Sequence, residues 1–282
     1  MTAHPLDHVV LPTADLDIAR RRLTRLGFTV APTGVHPFGT INACVYFPGG
    51  TFLEMLAVGD GAASASAIAH GNVFVARDHV FRAMRGEEGF SAIVLASDDA
   101  DADHAAFATA DISGGDLLTF SRPTTDAQGN TDTATFKLAF AADIETADAF
   151  MFTCQRINAP AIDRSSLERH ANGATGISAI LVGEHASSFI QLVERAAGGT
   201  GHDTTHSMML ANAELRMVRP TDPSGIAEGG ETLAAIVFDV FDTDETKKAL
   251  DAGHVRHHET EAGLVVPAAA GQGATFIFRR PN

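Results

Sequence analysis

One supersecondary pattern recurs four times along the chain: a strand, then a helix, then further strands. A repeat of this kind constrains the fold more than any single motif, because every copy must bury the same faces in the same way. In the first copy, residues 6–11 read as a buried strand and residues 15–26 as a helix stopped by Gly27. Residues 41–47 and 51–57 read as two strands closed by Pro48-Gly49-Gly50, a hairpin signal. Asp15 suits the N-cap, and Ile18, Leu23 and Leu26 can share one helix face. Arg20, Arg21, Arg22 and Arg25 then fall on the solvated side or at the negative end of the helix dipole. Residues 33–39 read as a loop.

The second copy opens with a strand over 90–95, continues with a helix over 98–111, and adds strands over 117–121, 133–140 and 149–155, with a turn at 126–130. The third has a strand at 176–182, a helix at 187–196, a loose loop at 198–203 and strands at 207–210 and 213–218. The fourth has a strand at 233–238, a helix at 244–252 ended by Gly253, and strands at 255–259, 263–266 and 274–279. Residues 59–88 read as a helical connector that covers the sheet, 156–173 as a linker with a short helix over 165–170, and 221–231 as a second linker.

A sheet with one apolar helix leaves its other face bare, so the copies are expected to pair, that face meeting a partner sheet around a shared cavity. The expected fold is α+β: four βαβββ modules in two domains. The first domain covers 1–160, with modules 1–58 and 89–156 and the connector 59–88; the second covers 174–282, with modules 174–220 and 231–282. The length of 282 residues agrees, at roughly 150 residues per domain.

Composition narrows the function. A formal net charge of −15 argues against general nucleic-acid or anionic-membrane binding, which need basic patches. No apolar run approaches the roughly 20 residues that span a bilayer, and the N-terminus lacks the basic segment and apolar core of a signal peptide. Cys44 and Cys154 lie in apolar strand-like runs and read as buried thiols, so the expected address is the cytoplasm. No nucleotide-binding G-x-G-x-x-G or hydrolase G-x-S-x-G context is present. The 13 histidines direct attention to metal or proton chemistry.

His8 lies on the first strand and Glu54 on the last strand of the first copy. On period-two logic Leu6, His8 and Val10 share a face while Val9 and Leu11 face the helix, and Glu54 shares a face with Phe52 and Leu56. A carboxylate among apolar neighbours needs a partner. A metal, a structural hydrogen bond to His8 and a metal-free ligand are the three readings. Two protein ligands are too few for tight metal binding, so His36 and His170 are candidates for a third place. His36 otherwise is a polar loop residue on backbone. His170 otherwise belongs to a turn with Asn172 or Gly173 in a left-handed conformation. Arg156 can pair an anionic substrate or form a surface salt bridge. His254, His257 and His258 decorate the surface; His202 and His206 flank a loop and take no role.

Paired βαβββ units with His on the first strand and Glu on the last resemble the vicinal oxygen chelate superfamily, the group of glyoxalase I, extradiol dioxygenases and bleomycin-resistance proteins. Leu6-Asp7-His8-Val9-Val10-Leu11, Leu26-Gly27-Phe28-Thr29-Val30, His36-Pro37-Phe38-Gly39-Thr40-Ile41-Asn42-Ala43, Thr51-Phe52-Leu53-Glu54-Met55-Leu56 and His170-Ala171-Asn172-Gly173-Ala174 are similar to its glyoxalase-like members. The resemblance implies a divalent metal (Zn, Fe, Mn or Ni) held by His8 and Glu54, with Glu54 doubling as the proton-moving base. His36, Asn42, Arg156, His170 and Asn172 are the expected substrate contacts. In the second copy the ligand positions fall near Ser91 or Ala92 and 153–155, which offer no His or Glu; the third offers Glu214 on its last strand but Ser178 or Ala179 on its first. The implied activity is a metal-assisted lyase, isomerase or dioxygenase on a small oxygen-rich molecule. The competing reading is a bleomycin-resistance-like protein that sequesters a small ligand. Expected partners are a small-molecule substrate or ligand, with no nucleic acid and no membrane; a homodimer is allowed for.

Overall fold

The computed structural model describes residues 4–125, 131–160, 163–197, 207–218 and 231–281. The turn expected at 126–130, the loop at 198–203, most of the second linker, His202 and His206 lie outside these residues. The first copy supplies β1 (Leu6–Pro12), α1 (Leu16–Arg25), β2 (Gly34–Val35), β3 (Thr40–Tyr46) and β4 (Phe52–Val58). A connector of α2 (Gly61–Ala69) and α3 (Val73–Arg85) follows. The second copy is β5 (Ala92–Ser97), α4 (Ala100–Thr109), β6 (Leu118–Thr125), β7 (Thr131–Ala141) and β8 (Phe150–Asn158). The third is β9 (Ala174–Val182), α5 (Ser187–Ala197), β10 (Ser207–Met209) and β11 (Glu214–Met217). The fourth is β12 (Leu233–Val240), α6 (Thr243–Ala252), β13 (His258–Thr260), β14 (Gly263–Val266) and β15 (Thr275–Arg279).

The copies pair two to a sheet, edge to edge rather than face to face. Among the described residues, one sheet runs β2-β3-β4-β1-β5-β8-β7-β6 and the other β10-β11-β9-β12-β15-β14-β13. Each is joined at its centre by the opening strands of its two copies, β1 antiparallel to β5 and β9 antiparallel to β12. These are the duplicated modules and two domains of the expected α+β fold.

Helices α1, α4, α5 and α6 fill the space between the sheets. Alternate residues of β1 and β4 (Val9, Leu11, Leu53, Met55) share one core with Leu16, Ala19, Leu23 and Leu26 of the first helix region and with Ile180, Phe238 and Phe276 of the second sheet. Helix α1 packs on α6, and α4 on α5. Asp15 caps α1, accepting from the Asp17 and Ile18 amides at 2.8 and 3.0 Å. Ala19 takes the buried place expected of Ile18, which is exposed. Two arginines of the last turn of α1 also reach across the seam. Arg22 donates to Gln272 Oε1 at 2.9 and 2.7 Å, and Arg25 to the Gly253 carbonyl at 2.9 Å.

The opposite face of the first sheet meets α2 and α3 rather than a partner sheet. Phe74, Val75, Ala67 and Ile68 from those helices pack with Val10, Leu56, Val94, Phe140 and Phe150. The connector thus closes one part of this face and leaves the remainder as a cleft. Residues 165–170, expected as a short helix, form turns instead.

Candidate functional site

The cleft is half open to solvent, with about 480 Å3 of space between its walls and at its mouth. Its walls are aromatic: Phe38, Phe52, Phe74, Phe120, Phe136 and Phe152. Its floor is polar, and β1 and β4 build that floor. His8 pairs in register with Phe52, and Val10 with Glu54. The imidazole and the carboxylate are therefore diagonal neighbours on one sheet face, a spacing that long side chains can span. His8 Nε2 lies 3.4 Å from Glu54 Oε2, and both residues are 5% exposed.

A β-bulge completes the floor. The β1–β5 register runs Leu6 to Leu95 and then His8 to Val94, so Asp7 is the extra residue. The bulge re-aims the strand. Leu6 joins the helix-side core, contrary to simple alternation, while Asp7 and His8 both line the cleft. Asp7 Oδ2 accepts from His8 Nδ1 at 2.6 Å, and Arg156 holds the same carboxylate from the other side at 2.8 and 2.9 Å. Alternation reasoning passes over Asp7. The available signal was an acid in an apolar strand, which demands a buried partner.

Two further side chains surround Glu54. Asn42 Nδ2 donates to Glu54 Oε1 at 2.6 Å. His36 Nε2 lies 3.7 Å from the same oxygen, and its Nδ1 lies 2.8 Å from Thr40 Oγ1. The short strand β2 and the tight turn after it present His36. Gly39 in that turn has φ +90°, and any Cβ there would collide with the Asp60 carbonyl and with Ser64. The His8 ring stacks on Phe52 at 4.3 Å, and the His36 ring on Phe38 at 5.0 Å.

The protonation pattern follows from this geometry. Burial works against a charge on Glu54, but the His8 hydrogen bond, the neighbouring imidazoles and Asn42 outweigh it and hold the carboxyl down at about 2. Burial likewise opposes charge on His8, yet Asp7 and Glu54 together raise it above an ordinary imidazole. Asp7 lies below the usual carboxylate range, because His8 and Arg156 outweigh its burial. His36 goes the other way: burial pushes it down to about 4. The resting floor is thus a cationic His8 between two carboxylates, with a neutral His36 beside them. Burial pushes the Cys44 and Cys154 thiols up to about 12, as expected of inert buried cysteines.

His170 and Asn172 are placed elsewhere. His170 Nδ1 accepts from the Thr29 amide and its Nε2 donates to the Tyr46 carbonyl, both at 3.0 Å, with Phe28 and Phe47 against its ring. Asn172 is fully buried, donating to the Leu26 carbonyl at 2.9 Å and accepting from the Ala174 amide at 3.0 Å. Both side chains bind the first copy to the start of the second sheet. Their polar atoms are used there, away from the cleft lining. Gly173, at φ +72°, is the left-handed residue of that turn.

Edge-to-edge pairing of βαβββ units, with a cleft over the paired sheet, defines the vicinal oxygen chelate class. A family model for the Glyoxalase-like domain matches residues 6–198, over half of the sequence, and the chain belongs to that family. No curated protein matches the chain. Among solved structures, it is similar to a hypothetical protein from Staphylococcus aureus, with 14% identity, a TM-score of 0.64, and coverage of 98% of this chain and 99% of that one. It is also similar to a mutant of 4-hydroxymandelate synthase from Streptomyces coelicolor, with 13% identity, a TM-score of 0.58, and coverage of 100% and 95%. At these identities the likeness concerns the fold alone.

The metal implied by the resemblance can be tested against the donors. The antiparallel pairs His8–Val94 and Val10–Ala92 define a local twofold that exchanges His8 with Ala92 and Val10 with Val94. Since Val10 pairs with Glu54 and Val94 with Phe152, the same twofold exchanges Glu54 with Phe152. A symmetric four-donor site would need His and Glu where Ala92 and Phe152 stand. In the second sheet, Ala179 occupies the register position of His8 and Arg216 that of Glu54, while Glu214 takes the place of Phe52. Among the described residues, no group of three or more His, Cys, Asp and Glu side chains is arranged to hold a metal ion. Only His8 and Glu54 stand at the implied ligand positions, two donors where a tightly held divalent metal needs at least a third.

Proposed function

We propose that the cleft over the first sheet binds a small molecule and that His8 and Glu54 exchange a proton with it, an isomerase- or lyase-type activity. The observation that carries this reading is the continuous chain from Arg156 through Asp7 and His8 to Glu54 at the floor of an aromatic cleft. Asp7 fixes the His8 ring through Nδ1 and leaves Nε2 toward Glu54. A substrate atom placed against the pair meets a protonated imidazole on one side and an ionised carboxylate on the other, the arrangement that general acid–base catalysis needs. Asn42 holds one oxygen of Glu54, and Phe52 beneath the imidazole keeps water out.

The test is hydrogen exchange. Protein freed of added metal is incubated in D2O with a panel of arylacetaldehydes and aryl methyl ketones, and exchange of the C–H beside the carbonyl is followed by NMR. Acceleration that falls by about 100-fold or more in Glu54→Gln and in His8→Ala supports the reading. Sequestration without turnover is a second reading, supported by Ala92 and Phe152 at the positions related to His8 and Glu54. It predicts binding with no exchange for any compound that binds. A metal-assisted version would use His8 and Glu54 as ligands and would need a third donor. His36, 3.7 Å from Glu54 Oε1, is the nearest one.

A further inference from the structure

We propose that the molecule taken by this cleft is a monoanion with a flat apolar body, such as an aromatic carboxylic acid, and that Arg122 receives its charged group. The inference rests on the reading of the cleft as a small-molecule site and adds the class of molecule. Arg122 lies on β6, in register with Ala134, and lines the cleft. Its guanidinium sits 5.6 Å over the Phe136 ring. Phe136 stacks on Phe120 at 5.2 Å, and Phe120 presents its ring edge-on to His36 at 5.7 Å. An aromatic wall thus runs from Arg122 to the acid–base floor.

The charges in the cleft do not balance without a guest. Asp7 is matched by Arg156, and Glu54 by His8, which stands between the two carboxylates. Arg122 is left over: among the described residues no carboxylate pairs with it. The cleft is therefore locally cationic inside a chain of net charge −15. Such a reversal of sign selects an anion at the pocket while the rest of the surface repels it. One guanidinium with a planar fork matches one carboxylate. A polyphosphate would need more cations than the cleft holds.

The backbone makes room for this arginine. Any Cβ at Gly34 would collide with both the Arg122 guanidinium and Asn42 Oδ1. A glycine at that place lets the cation stand beside Asn42, the residue that holds Glu54. The anion would then lie at one end of the wall and the reacting atoms of the guest at the other.

The test uses phenylacetate and 2-naphthoate with their neutral amides, phenylacetamide and 2-naphthamide, titrated into the full chain by ligand-observed NMR. The acids are expected to bind at least about tenfold more tightly than the amides. Arg122→Gln should remove that preference while leaving amide binding within about twofold, and Arg122→Lys should retain part of it. Amide binding retained in Arg122→Gln shows that the variant is folded and guards against a loss that merely reflects misfolding. Equal binding of acids and amides, or an acid preference that survives Arg122→Gln, overturns the role of Arg122 and leaves the cleft reading standing. Failure of all four probes to bind overturns both.

Discussion

His8 and Glu54 are two register steps apart on adjacent parallel strands, and their side chains close that offset to 3.4 Å between Nε2 and Oε2. The contact is possible because both residues alternate onto the cleft face, and it is oriented by groups behind it: Asp7 on the imidazole and Asn42 on the carboxylate.

Asp7 is the support of this contact. Asp7→Asn leaves His8 and Arg156 without their shared carboxylate in a buried place. The change should destabilise the protein by roughly 3 kcal/mol, the typical cost of orphaning a buried charged partner. Urea denaturation measures it, and Arg156→Gln should cost less because that guanidinium is partly exposed. A loss within 0.5 kcal/mol, about the effect of an ordinary surface change, would show that the bulge places no structural demand on the acid.

Acid should remove stability in two stages. His36 is held at about 4 against an ordinary 6.5, so the folded state binds fewer protons than the unfolded one. Its contribution is full above pH 6.5 and is lost as the pH falls toward 4. Glu54, held at about 2 against 4.5, contributes fully above pH 4.5 and loses that contribution as the pH falls through about 2. His8 has the opposite sign: its raised value gives stability that is complete below 6.5 and lost as the pH rises through its folded value. Melting temperature against pH should therefore flatten between 4 and 6.5 in His36→Gln, and below 4.5 in Glu54→Gln. Profiles identical to that of the unaltered protein would contradict the assignment.

The donor argument makes a prediction about metals. Protein purified without added metal should carry less than one equivalent of zinc, iron, manganese or nickel by elemental analysis. Ala92→His with Phe152→Glu restores the donors that the local twofold lacks. That double variant should be destabilised alone, since it buries a charge in an apolar place, and stabilised by added zinc. A stoichiometric metal in the unaltered protein that is lost in His8→Ala would instead establish the metal-assisted version.

The seam and the cleft should separate in mutagenesis. Asn172→Ala removes hydrogen bonds to Leu26 and Ala174 from a fully buried site and should cost roughly 2 kcal/mol. Binding of phenylacetate in the cleft should stay within about twofold, less than the tenfold that 1.4 kcal/mol would give. A large loss of binding at unchanged stability would return Asn172 to the site.

Much of this was legible in the residues. Alternation on 52–56 placed Glu54 with Phe52 and Leu56 on the cleft face, and the fourfold repeat led to paired modules. Three things escaped it for physical reasons. The bulge at Asp7 breaks the period of two, so the side of Leu6 and the role of Asp7 could not be read from alternation. The strand read over 117–121 continues to Thr125; because β6 is an edge strand, it tolerates Pro123 and carries Arg122 into the cleft. His170 and Asn172 entered the expected site through the resemblance of residues 170–174 to glyoxalase-like members and through a turn able to reach the cavity. A tertiary seam satisfies such groups as well as a ligand does, and local sequence does not distinguish the two.

The account depends most on His8 being a cation clamped between Asp7 and Glu54. An NMR titration of the His8 imidazole tests this directly in the unaltered protein and in Glu54→Gln. The account predicts a midpoint above 6.5 that moves to lower pH when Glu54 loses its charge. An imidazole that titrates at its ordinary value and does not respond to Glu54→Gln would contradict it.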